Sequence, residues 1–174
     1  MLEGILHPIG AMPTGTASSS TDHAQGWFGW LLDGPATWAP TIARLALGVV
    51  ILPHGLQKLV GAFGGAGFDG TIEHFTVGMG LPWIVAFAVI MFESVGALML
   101  LLGLLSRLAA AGITAVMIGA IVMVHAEVGW FMNWNGDQAG EGFEFHLLAI
   151  GLAAIVMVAG GGKISLDRAL LNRD

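Results

Sequence analysis

Four long apolar runs, parted by short polar or glycine-rich breaks, decide most of what this chain can become. They cover about 38–59, 82–105, 108–128 and 143–160. Each approaches the roughly 20 residues a helix needs to cross the hydrocarbon core of a bilayer, the last being the shortest. In lipid there is no water to bond the backbone, so each run must satisfy its own N–H and C=O groups, which a helix does. Only 10% of residues are charged and mean hydropathy is +0.81, against about 25% charged residues in a soluble domain. The sequence therefore predicts an all-α, polytopic membrane four-helix bundle in up-down order, with membrane lipid as an obligatory partner.

The flanks complete the domain reading. Residues 1–35 form an N-terminal tail that opens without a basic region, so a cleaved signal peptide is not expected. Its last part, with Trp27, Phe28 and Trp30 followed by Trp38 at the helix entry, reads as a segment at the headgroup level, where amphipathic rings are favoured. Packing of that segment on a partner subunit is the alternative. Residues 36–162 form the transmembrane domain and 163–174 a polar tail. Arg107, Lys163, Arg168 and Arg173 fall on one side of the bundle, which predicts that both termini are cytoplasmic. Within the first span, Pro40 sits in the opening turn, while Pro53 frees the Val49 carbonyl and is expected to kink the helix before His54. Residues 60–81 are dense in glycine but apolar, and read as a loop folded back on the bundle mouth with Glu73 and His74.

Several function classes fall away. The chain has no cysteine, which excludes disulfides, thiol redox chemistry and cysteine-held metal clusters. Its net charge of −6 argues against nucleic acid. GAFGGAG does not lie between a strand and a helix, so it is not a nucleotide loop. The nine methionines form no stripe and read as packing.

The informative residues are the polar ones inside the spans. A charge at mid-membrane costs roughly 2.5–3.5 kcal/mol on insertion scales, so Arg44 and Glu93 are expected to face the interior and form a structural ion pair. Counting about 1.5 Å per residue, Arg44 lies about 22 Å and Glu93 about 16 Å from the outer ends of their helices, a mismatch left to the long guanidinium. A second polar layer is expected at that outer rim: His54, Gln57 and Lys58 share a face of the first helix, His125 ends the third, and Glu144 and His146 begin the fourth. These residues, with Glu93, are the candidate ligand-binding set. Three chemistries suit them. His54, His125 and His146 are competent metal or haem ligands, but Glu144 and His146 are two residues apart and point to different faces, so no metal or intrinsic cofactor is expected. The set can hydrogen-bond a quinone headgroup or another small polar molecule, with His or Glu exchanging protons. Or it serves only interhelical hydrogen bonding.

Read in order, RLALG, HGLQKL, GAFGGAGFDGT, GLPW, ESVGALMLLLGLLSRLAA, GEGFEFHLLAIGLA and GGGKISLDRAL resemble the DoxX family of small membrane proteins. The similarity spans about 40–171, and Arg44, His54, Gly55, Lys58, Glu93, Gly103, Arg107, Glu144, Ser165, Leu166 and Asp167 match the family pattern, with Ser106 where threonine is common. The resemblance implies a four-helix protein of the bacterial or archaeal cytoplasmic membrane that serves as a subunit of a quinone-linked redox system, partnered by other membrane subunits or redox proteins. No catalytic residue is identified. The alternatives are an accessory subunit packed on a larger complex, and a small-molecule carrier.

Overall fold

The computed structural model describes residues 26 and 29–171. The tail up to residue 25, Trp27, Phe28 and Arg173 lie outside the described residues. Among the described residues every regular element is helical. Helix α1 spans Trp38–Val60 and runs through Pro53. A 3₁₀ turn at Ala62–Gly64 leads into α2, Gly67–Glu73, which continues as a π-helical turn over His74–Gly78. Helix α3 spans Trp83–Leu102, α4 Ser106–His125, α5 Glu144–Ala159 and α6 Leu166–Leu170. The first, third and fourth of these are long and apolar enough to cross a membrane, while α5 is a shorter apolar helix.

One expectation is corrected here. The 60–81 segment is not a loop throughout, because its second half is helical. The glycines cluster at its start, whereas TIEHFTV carries seven residues without glycine or proline. Packed on α1 and on the start of α3, that stretch gains the tertiary support that short helices need.

The four long helices form a ring in the order α3, α1, α5, α4. Its core is built from Leu47 and Ile51 of α1, Ala97 and Leu100 of α3, Ala109, Ala110 and Ile113 of α4, and Ala153 and Val156 of α5. Alanines are interleaved with the larger Leu, Ile and Val side chains because lipid gives little hydrophobic drive between helices, so close approach and dispersion hold them together. Gly55 shows how close: a Cβ there would fall inside the backbone of Glu93. Ile42, Val49, Ile84, Leu148 and Val158 are exposed around the outside, where lipid tails would cover them.

At one end the ring is locked by two buried charges. The Arg44 guanidinium, 2% exposed, donates from Nε to Gly161 O at 2.8 Å, from Nη1 to Leu100 O at 2.6 Å and Leu101 O at 2.8 Å, and from Nη2 to Ile164 O. Leu100 and Leu101 lie in the last turn of α3, where carbonyls run short of intrahelical donors; Arg44 adds to the one bond that Leu100 O takes from Gly103 N (3.2 Å) and completes the negative end of that helix. Gly103 follows in the left-handed conformation (φ 69°), and its carbonyl accepts from Asp167 N at 2.9 Å. The Asp167 carboxylate, 1% exposed, in turn accepts from Leu105 N at 2.6 Å, Ser106 N at 2.9 Å and Ser106 Oγ at 2.8 Å. It therefore satisfies N–H groups at the start of α4 and sits at that helix's positive end. The same end gathers Arg107, which donates to Asp33 O at 2.8 Å and stacks over Trp30, and Lys163, whose ammonium lies 5.1 Å from the Trp38 ring centroid.

The expected Arg44–Glu93 pair is thus not formed. Arg44 finds four carbonyls at its own depth, and the offset in helical depth separates it from Glu93. Replacing Arg44 by Met should strand these carbonyls and cost about 3 kcal/mol, seen as a lowered melting temperature of detergent-solubilised protein. Arg44→Lys should recover only part of the loss, since an ammonium cannot fork to the same acceptors. A melt unchanged by Arg44→Met would contradict this account.

Candidate functional site

Toward the other end, the ring opens into a cavity of about 510 Å³. Its polar lining comes from four helices and a loop: His54 and Lys58 from α1, Glu93 from α3, His125 from α4, His146 from α5 and Glu141 from the segment before α5. Most of the remaining wall is apolar, including Phe92, Phe145 and Met123. This composition, apolar with a few converging polar groups, and this volume are those of a small-molecule site.

Each polar group has a local reason for its position. Lys58 follows His54 by one helical turn, so both face the same way. Lys58 Nζ lies 2.5 Å from Glu93 Oε2, and Glu93 is nearly buried while Lys58 keeps a quarter of its side chain exposed. Glu93 stands in a π-helical turn, Phe92–Gly96, inside α3, and His125 ends another, Ile121–His125, in α4. The extra residue of a π turn rotates the side chains around it out of α-helical register, and such turns recur at functional sites.

The two imidazoles at the mouth are nearly in contact, with His125 and His146 centroids 4.2 Å apart and His54 stacked obliquely on Phe145. His125 Nδ1 meets Glu141 O at 2.7 Å, so in the neutral form Nδ1 carries the proton and Nε2 is left as an acceptor. His146 is 7% exposed, and among the described residues its Nδ1 is buried without a hydrogen-bond partner. An unmet buried nitrogen costs about 1–3 kcal/mol, a penalty that a bound ligand or water relieves.

Of the residues singled out from sequence, five line the cavity and two do not. Gln57 is absent from its wall. Glu144 is engaged instead in the loop before α5, accepting from Met132 N at 2.9 Å and Trp134 Nε1 at 3.3 Å. The two-residue spacing of Glu144 and His146 turns them to different faces, and only His146 points inward. No three His, Asp or Glu side chains among the described residues come together in an arrangement able to hold a metal ion. Sequence reasoning missed Phe75 and Met79, which reach the cavity from and just after the end of α2, and the Glu141 carbonyl that orients His125. Reading 60–81 as a loop hid the first two. No sequence signal marks a π turn.

Fold and cavity define a helical membrane protein with a ligand-sized, partly polar chamber between its helices. The chain belongs to the DoxX family, whose profile matches residues 39–126. That match holds His54, Lys58, Glu93 and His125, while His146 lies beyond it on α5. The chain is 27% identical over 131 residues to "Inner membrane protein YphA" of Escherichia coli (strain K12), covering 73% of this chain and 86% of the relative. It is 28% identical over 110 residues to "Putative oxidoreductase CatD" of Bacillus subtilis (strain 168), covering 63% of this chain and 77% of that relative. No solved structure matches it.

The Lys58–Glu93 pair is the interaction at the site most open to test. Lys58→Met leaves a nearly buried carboxylate alone and should cost about 2 kcal/mol, between the values for exposed and buried pairs. Adding Glu93→Gln should restore most of that loss in a double-mutant cycle on thermal stability. Additive effects would mean that the two side chains are not coupled.

Proposed function

We propose that this protein is a membrane subunit of a quinone-linked redox system and that its chamber receives the quinone headgroup. The observation that carries the reading is the convergence of His54, Lys58, Glu93, His125 and His146 on one otherwise apolar cavity, with a buried His146 nitrogen still lacking a partner. A quinone carries two carbonyl oxygens on a flat apolar ring, which suits apolar walls with donors at fixed points. Lys58 supplies an ammonium donor and the imidazoles of His54 and His146 supply N–H donors, each able to bond a carbonyl oxygen. Glu93, held against Lys58, and His125, with Nε2 open, can accept protons from a quinol. When bound, the quinone supplies the two-electron, two-proton chemistry, and a redox partner protein supplies or takes the electrons. The oxidoreductase in the Bacillus subtilis relative's name supports a redox setting.

The name of the Escherichia coli relative supports the cytoplasmic (inner) membrane of a bacterium as the location. The end bearing Arg107, Lys163 and Arg168 is assigned to the cytoplasmic side, since basic residues are retained there.

Full-length protein extracted from native membranes in a mild detergent, then analysed for lipids by mass spectrometry, tests the proposal. The expected result is near-stoichiometric quinone in the wild type and at least a tenfold loss in His146→Phe. Wild-type protein free of quinone would remove the proposal and favour the accessory role.

A further inference from the structure

The cavity is longer than a headgroup. Its wall on α4 runs from Gly112 to His125, which at 1.5 Å per residue is about 20 Å of helix. The polar side chain on that wall is His125, at one end, and the rest is small or apolar: Gly112, Ala115, Val116, Gly119 and Ala120. Opposite stand Val85, Ala88 and Val89 of α3.

This trough exists because α3 and α4 meet along only part of their length. They join by the turn at Gly103–Leu105 and pack from Phe92 onward toward that turn. At the crossing the helices are tight, since the Phe92 ring occupies the space a side chain at Gly112 would need. Beyond it, the Trp83–Met91 half of α3 and the last two turns of α4 diverge. A Cβ on Gly119, two turns past Gly112 on the same face, would meet nothing within 4 Å. Ala115 is exposed, as are Val85 (41%) and Met123 (47%). The gap thus opens along the side of two helices long and apolar enough to span a membrane, where acyl chains would lie.

We infer that the α3–α4 gap is a lateral portal and tail groove, through which a lipid-soluble ligand bearing an apolar chain enters from the bilayer and lays that chain along Ala115 and Gly119. Phe92 on Gly112 closes the far end of the groove, and the ring of the ligand meets His125 and His146 at the near end. The inference rests on the proposed quinone site for the ring and adds the chain and the route. An apolar chain is the occupant that matches both the lining and the lipid on which the gap opens. The unmet His146 nitrogen marks the end where a polar head belongs.

The test compares decylubiquinone with its tail-less parent, 2,3-dimethoxy-5-methyl-1,4-benzoquinone, on full-length protein in lipid nanodiscs, with bound ligand counted by native mass spectrometry. Gly119→Trp fills the groove where nothing now stands. It should weaken decylubiquinone at least tenfold and leave the tail-less quinone within twofold. Gly119→Leu serves as a milder filler should the Trp variant fold poorly. Unchanged decylubiquinone binding in the filled variants overturns the portal while the quinone site stands. If the wild type binds neither quinone, the quinone reading falls and the groove is judged separately. Because the chain has no cysteine, Ala115→Cys can carry a single bimane label. Quenching of that label by phospholipid with brominated acyl chains keeps the groove, and its absence overturns it.

Discussion

The bundle depends on how one buried guanidinium spends its donors. Arg44 binds the carbonyls that end α3 and those that begin the return from α5, at Gly161 and Ile164. Asp167, on the short helix that follows, binds the N–H groups that open α4. One cation closes a helix C-terminus and one anion closes the next helix N-terminus, each at the end its charge complements. In a medium with little water these backbone groups have few other partners, so the pair fixes the α3–α4 hairpin and ties the C-terminal segment beneath it. An ion pair between Arg44 and Glu93 would have taken the guanidinium away from the Leu101, Gly161 and Ile164 carbonyls.

That lock at one end is what allows looseness at the other. With the hairpin turn held at Gly103–Leu105, α3 and α4 can diverge beyond Phe92 without the ring falling apart, because α1 clamps α3 and α5 clamps α4. The π turns at Phe92–Gly96 and Ile121–His125 lie where the helices part and present Glu93 and His125 to the chamber. The result is a chamber whose chemistry is concentrated at one end.

Family membership accords with this division of labour. The DoxX match covers α1 to α4, hence the Arg44 anchor, Lys58, Glu93 and His125, whereas the His146 wall and the Asp167 lock lie outside it. The share of the bundle held by α5 and α6 is nonetheless structural in its own right, since α5 packs along α4 and Asp167 holds the α3–α4 turn.

The sequence by itself determined the class of fold. Hydropathy settles helices in a bilayer, because a backbone in lipid admits few other solutions, and the breaks at GLPW and LLSR set where the spans begin and end. It also drew attention to His54, Lys58, Glu93 and His125, which the fold brings to one cavity, since a charge or imidazole within a span is costly and stands out. It could not decide partners. Arg44 and Glu93 were paired by their rarity, yet depth sent Arg44 to carbonyls contributed by residues more than fifty positions away and left Glu93 to Lys58. Gln57 and Glu144 share the rim in sequence but not the chamber, because the direction of a side chain depends on helix rotation within the ring. The helix hidden in 60–81, the π turns and the α3–α4 gap were likewise decided by tertiary packing: each arises from how neighbouring helices bear on a segment, which no local pattern of residues records.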